Sequence, residues 1–430
     1  MQRRNSSDQS PFYSPARRTM LWHCARTDLD RPLGYRRPVR IQFMVIHHLM
    51  RHYGRFWRSV LFQMILFGAL SFVGPAMGDA ISNLGGGGLS TPYLANLANA
   101  LNYACGCLVT LVGGPLINKL GIKLACLVAA VTMPLNPSAY YASARHGAAA
   151  DAYLLASSLI GGLSGGFLYV AETSAMLSYP QPEDRGLYLG IWSAMRNTGS
   201  MLGGAVNFAT SYTRDGAGGI PWSTYLVFVG FACTGVVWAL LLSPSGRVRR
   251  RDGCPVPVAE GSAGWACEFA ALWAQIRRRE TWLVFLPAFY SFFYGGTMGT
   301  YLSLHFSVRA RALSSLLVPS VVIPLVLGFG RLLDQTRWSQ RTRAWIGFLA
   351  WVVPQAACFL WIGREYSKFG TSKLALDYGH DSRAWAEAYL PYLIIFSTGY
   401  WTQLSLYWIL GTFCTDVQSS SRTGGPHRCV

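Results

Sequence analysis

The sequence predicts an all-α polytopic membrane protein, and three observations predict it. Charged residues make up only 13% of the 430-residue chain, about half the share of a soluble domain. Hydrophobic residues reach 51%. The apolar residues also fall in long runs, near the ~20 residues that one helical crossing requires, with short polar breaks between them. Helices are forced in such runs because a bilayer offers backbone N–H and C=O groups no solvent partner. The runs lack the short alternating strands of a membrane β-barrel.

Residues 1–55 are polar and basic, and no apolar stretch precedes residue 41. That argues against a cleavable secretory signal, although an Arg-rich, acid-poor start also suits an organellar presequence. Residues 41–50 (IQFMVIHHLM) are too short to cross and suit an interfacial helix beside the basic RHYGR. Ten spans are then expected, at 56–78, 94–116, 122–143, 150–178, 186–211, 222–243, 282–305, 312–333, 343–362 and 389–412. The expected organisation is a basic cytoplasmic tail (1–55), a six-span half (56–243), a basic cytoplasmic linker (244–281), a four-span half (282–412) and a polar tail (413–430).

The net charge of +18 could suggest nucleic acid. With the N-terminus inside, however, 28 of the 37 Lys and Arg lie on the inner side, 8 lie outside, and Arg196 lies within a span. That bias sets an N-in topology. It accounts for the charge, and no nucleic-acid partner is expected. Five cysteines lie in apolar runs (Cys105, Cys107, Cys126, Cys233, Cys358) and none falls in an expected outer loop, so no disulfide is expected. Cys105-Gly-Cys107 has the wrong spacing for zinc. No metal or other cofactor is expected. No nucleophile–base pair or nucleotide motif points to an enzyme.

An internal repeat is visible. After span two the chain reads Gly114-Pro115-Leu116-Ile117-Asn118-Lys119-Leu120-Gly121-Ile122-Lys123. After span eight it reads Gly330-Arg331-Leu332-Leu333-Asp334, followed by Arg337, Arg341 and Arg343. Both are Gly-x-Leu-x-Asn/Asp followed by cations, at equivalent places in two halves, as in parallel-repeat transporters.

These loops resemble the loop of the major facilitator superfamily, Gly-x-Leu-x-Asp-Arg-x-Gly-Arg-Lys. Gly114, Leu116, Lys119, Gly121 and Lys123 match; Asn118 stands in place of the Asp, and Ile122 in place of an Arg. The resemblance implies a two-half helical bundle with a charge latch at these loops, built here from Gly114, Asn118, Lys119, Gly121 and Lys123, and from Gly330, Asp334 and Arg341. The first copy lacks the latch carboxylate. Four further stretches resemble the fungal type of Unc-93-like family: 74–88, 176–192 (MLSYPQPEDRGLYLGIW), 306–315 (FSVRARALSS) and 407–425 (YWILGTFCTDVQSSSRTGG). That family implies eleven or twelve spans, so the C-terminal end is expected to be truncated. Asp79 and Glu172 stand where the family implies uncharged polar residues, and Arg196 where it implies an apolar one.

Four candidate features remain. The glycine run 85–88 lacks the Gly-Lys-Ser/Thr ending of a phosphate cradle and reads as a turning loop. Gly161/Gly165 and Gly162/Gly166 in span four, with Gly199/Gly203 in span five, suggest close contact between those two spans. Glu172 lies about 9 Å and Arg196 about 15 Å from the inner ends of their helices, at ~1.5 Å per residue. An intramembrane Glu172–Arg196 pair is therefore expected, either as a locking pair or as a solute or proton site. The resemblance puts a solute between spans one, four, seven and ten. Candidates there are Gln63, Asp79, Tyr169, Glu172, Tyr290, Tyr294, Tyr400, Trp401 and Gln403. Pro75, Pro287 and Pro391 are expected to kink spans one, seven and ten. The expected function is secondary transport of a small solute across a lipid bilayer. The rival is a non-transporting regulator or trafficking partner of other membrane proteins.

Overall fold

The structure is a computed structural model. It describes residues 56–82, 92–211, 222–257, 264–369, 376–413 and 417–429, all within one compact unit, Gly54–Val430. The basic tail, its expected interfacial helix and the glycine run 85–88 lie outside the described residues.

Each segment expected as a span is helical. Span one is α1 (Val60–Val73) and α2 (Pro75–Ser82), and span two is α3 (Pro92–Leu120). Span three is α4 (Ile122–Thr132) and α5 (Leu135–His146), span four is α6 (Asp151–Ser178), and span five is α7 (Arg185–Ser211). Span six is α8 (Trp222–Cys233) and α9 (Gly235–Leu241). The linker carries α10 (Trp265–Ile276) and the short α11 (Arg279–Leu283). Spans seven to ten are α12 (Phe285–His305), α13 (Val308–Leu333), α14 (Gln340–Phe369) and α15 (Ser382–Leu410). The expected polar tail is instead largely α16 (Val417–Cys429).

Local sequence explains many of the boundaries. Ser59 caps α1 by accepting from Phe62 N, Ser307 caps α13 through Ala310 N, and Asp381 caps α15 through Ala384 N. Span one breaks between Gly74 and Pro75, where proline supplies no N–H to continue the ladder. Pro391, by contrast, lies inside the continuous α15.

Among the described residues, six helical stretches are long and apolar enough to cross a membrane: Val60–Ile81, Tyr93–Leu120, Ile122–Ser178, Trp222–Leu241, Arg309–Leu333 and Gln340–Phe369. Ile122–Ser178, at 57 residues, covers spans three and four, with the turn Gly147–Ala150 between them. Spans five, seven and ten are helices outside that set, and span five is the least apolar of the three. Arg196, Asn197 and Asn207 lower its apolar content. Protein replaces lipid on two of its sides, because it packs on span one and, most extensively, along span eight.

Spans four and five scarcely touch, contrary to the sequence expectation. The small-residue face of span four meets span two: a methyl group on Gly166 would stand 2.7 Å from Val109 Cβ. The small face of span five meets span one, where a methyl on Gly199 would stand 2.8 Å from Phe72 O. Small-residue spacing announces a close approach but does not name the partner.

The two halves join along spans five and eight and where α16 lies on spans two and four. One large apolar cluster runs through both halves, from Met64 and Trp192 to Phe329 and Tyr407. A smaller one, with Met77, Tyr140, Tyr225 and Phe228, fills the first half at the end away from the repeat loops.

Candidate functional site

The expected Glu172–Arg196 ion pair is replaced by another. Arg196 Nη2 donates to Asp79 Oδ2 at 2.8 Å, joining span five to the far part of span one. Glu172 instead accepts from Ser71 Oγ at 2.6 Å, and Trp192 Nε1 donates to the same hydroxyl at 3.2 Å. Glu172 is fully buried in the first half, among spans one, four and five. Rotation about the helix axis decides the partner, and Asp79 lies on the face that Arg196 points to.

Side chains from both halves lie within electrostatic reach of the Arg196–Asp79 pair. Tyr169 (span four) and Tyr400 (span ten) act on the charge of Arg196 alongside Asp79. Tyr294 (span seven) shares the field of Arg196 and Tyr400. Tyr103 (span two) shares that of Asp79, Tyr169 and Arg196. Asp79, Tyr169, Tyr294 and Tyr400 were expected site residues; Tyr103 was missed because span two lies outside the expected set of four. The Asp79 side chain is 35% exposed and that of Arg196 15%, so the pair borders open space. Tyr103 is 66% exposed.

Four other candidates go elsewhere. Gln63 ties span one to the end of span six, donating to Trp57 O at 2.8 Å and accepting from Ser243 N at 2.9 Å. Tyr290 bonds Gln355 of span nine, inside the second half. Gln403 donates to Ser291 O at 3.4 Å, and Trp401 stacks on Phe329 at 4.8 Å between ring centroids.

The repeat loops build the opposite end. After span eight, Asp334 accepts from Gly186 N at 2.7 Å and from Leu187 N at 2.6 Å, at the start of α7. A helix N-terminus presents unpaired N–H groups and partial positive charge, which suits a carboxylate. A Cβ on Gly186 would collide with Gly330 O, so the crossing requires glycine on both helices. Arg343 donates to Leu333 O at 3.0 Å, within electrostatic reach of Asp334. Arg341 is exposed because it lies at the solvent-facing start of α14. Burial is the largest influence on the Asp334 carboxyl and pushes it up to about 6, against the two N–H groups.

After span two, Gly121 adopts φ +81°, a left-handed turn that glycine tolerates. Lys123 turns away to Leu240 O at 2.8 Å, and Lys119 lies 5.7 Å over the Trp265 ring. Gly114 receives the backbone of α16, with Ser421 O and Arg422 Cα each 2.9 Å from where its Cβ would stand. Asn118 Nδ2 donates to Glu268 Oε2 at 2.9 Å, and Ser421 Oγ donates to Asn118 Oδ1 at 2.5 Å. Arg422 Nε reaches Glu268 Oε2 and its Nη2 reaches Oε1, each at 3.0 Å. Glu268, Ser421 and Arg422 were not expected. The available signal was Glu268 four residues before Leu272, an acid on the apolar face of an otherwise apolar helix.

The profile of the Major Facilitator Superfamily matches residues 59–416. A protein of Aspergillus versicolor named "Notoamide biosynthesis cluster protein O'" is 31% identical over 84% of this chain and 77% of its own length. The "UNC93-like protein 1" of Arabidopsis thaliana is 28% identical over 87% of this chain and 82% of its own. Among solved structures, the fold resembles the transporter FucP in its outward conformation, with a TM-score of 0.58 at 11% identity, over 86% of this chain and 89% of that one. The chain is a multi-pass integral membrane protein with a transporter fold; it belongs to the Major Facilitator Superfamily and is similar to proteins named UNC93-like.

Proposed function

We propose that this protein carries a small solute by alternating access, taking it up between the halves beside Arg196 and Asp79. The observation that carries the reading is this charge pair. Tyr103, Tyr169, Tyr294 and Tyr400, from spans two, four, seven and ten, lie within electrostatic reach of one or both of its charges. A charge within a membrane helix costs about 2.5–3.5 kcal/mol on insertion scales, which favours a functional or locking role over an accidental one. Pairing offsets that cost at rest. A solute that competes for either charge, with phenol hydroxyls to complete its hydrogen bonds, binds at the expense of the pair. The positive-inside bias supports an N-terminus, and hence the repeat loops, on the cytoplasmic side. The loops then hold the cytoplasmic end shut in this conformation. No chemical conversion of the solute is part of the reading, and it invokes neither a cofactor nor nucleic acid.

The purified protein tests this. A panel of small organic solutes is screened by thermal shift, then by flux into proteoliposomes; such molecules come first because one relative is named for a biosynthesis cluster. Arg196→Gln leaves Asp79 without its cation and is expected to cost about 1–3 kcal/mol, discounted for the partial exposure of both groups. Asp79→Asn/Arg196→Gln is expected to recover much of that stability while abolishing solute-dependent stabilisation. A stoichiometric protein partner on purification, with no solute shifting Tm, would favour a regulator of other membrane proteins.

A further inference from the structure

The first repeat loop has Asn118 where the latch carboxylate would stand, yet a carboxylate occupies the junction. It comes from the linker. Glu268 of α10 is only 3% exposed and lies between the loop of the first half and α16 of the second. Asn118 donates to it from one side, and the guanidinium of Arg422 grips it with two hydrogen bonds from the other. Ser421 closes the ring by donating to Asn118 Oδ1. Lys119 adds charge of the favourable sign.

We infer that Glu268 is a positioning residue for the inner gate: the linker supplies the carboxylate that the first loop has lost. Three observations carry this. The side chain is buried, and a buried carboxylate persists only where its charge is met. The two-point grip of Arg422 is the strong, directional form of an ion pair. The backbone of α16 crosses directly on Gly114, so Asn118 and Arg422 are held in register whether or not Glu268 is present. Opening this end must separate Asn118 from Ser421 and Arg422, and Glu268 cannot remain bonded to both sides. Separation of the halves is therefore coupled to a shift of α10, a segment outside the spans that a regulator could reach. The gating role rests on the alternating-access reading; the carboxylate junction can be tested without any solute.

The test is hydrogen exchange of the purified full-length protein, read on peptides covering 265–276 and 417–423. Glu268→Gln is expected to speed exchange in both segments by roughly tenfold, and Arg422→Gln by a similar factor. Asn118→Asp is the discriminating change. Alone it sets a second carboxylate beside Glu268 and is expected to speed exchange. Combined with Glu268→Gln it returns the carboxylate to the loop and is expected to bring exchange back to within about threefold of the parent, because Arg422 is again met. A purely structural packing role for Glu268 does not produce that reversal of sign. Unchanged exchange in Glu268→Gln, or a double variant no slower than Glu268→Gln alone, overturns the inference. Should Glu268→Gln fail to purify, Asn118→Asp alone and Arg422→Lys carry the test. The first is expected to loosen both segments and the second to give an intermediate rate; parent-like exchange in both overturns it. Flux is not read, so a protein that moves no solute still answers, and failure of transport is distinguished from failure of the junction.

Discussion

After span eight, Asp334 closes onto the start of span five with its own carboxylate; after span two, Asn118 meets the other half through Ser421 and the borrowed Glu268. The two loops are related by the internal repeat, and both end at a junction between halves. Their electrostatics differ in sign of response. Asp334 faces backbone N–H groups, and burial dominates, raising its carboxyl to about 6. Burial also acts to raise Glu268, but hydrogen bonds from Arg422 and Asn118 outweigh it, and its carboxyl sits below the ordinary range. A repeated backbone geometry thus tolerates two chemistries, provided that each buried charge finds a partner.

The largest effect should come from closing the glycine crossing of the second loop. Gly186→Val forces a branched side chain into Gly330 O and Asp334. It is expected to cost about 3 kcal/mol or more, the upper range for overpacking. Gly114→Ala, against the 2.9 Å approach of α16, should cost less, since one methyl can be absorbed by a small shift of a terminal helix. Thermal unfolding of the purified variants ranks the two. Equal losses would mean that the crossings carry equal strain.

The opposite pH responses sharpen the comparison. Asp334 binds a proton more tightly in the closed arrangement than in a hydrated open one. Its contribution to closure is therefore full below the ordinary carboxylate range, about 4, and is lost as pH rises through about 6. Glu268, with its lowered carboxyl, contributes above that ordinary range and loses its contribution as pH falls below it. Between pH 7 and pH 5, exchange at 186–190 should slow after correction for intrinsic rates, while exchange at 417–423 stays constant. Asp334→Asn should flatten the first response. Parallel changes at both junctions would break the comparison.

The smallest expected effect is Lys119→Ala, which removes a cation over the Trp265 ring. A partly exposed contact of this kind is worth about 0.5–1 kcal/mol. A loss several times larger would show that Lys119 acts mainly through Glu268 rather than through the indole.

The sequence by itself determined the helical bundle, the helical character of each expected span and the two repeat loops, because apolar run length and turn residues act over a few neighbouring residues. It also marked Asp79 and Arg196, since a charge in an apolar run is conspicuous wherever it points. Tertiary structure alone decided the partners. Asp79 rather than Glu172 meets Arg196, and spans two and one rather than each other receive the small faces of spans four and five. Each depends on rotation about a helix axis and on which helix lies alongside, neither of which a run of composition records. Glu268 and α16 are the clearest cases. Both lie in polar or mixed segments with no membrane signal, and they acquire a role only when the fold brings residues 118, 268 and 422 to one point.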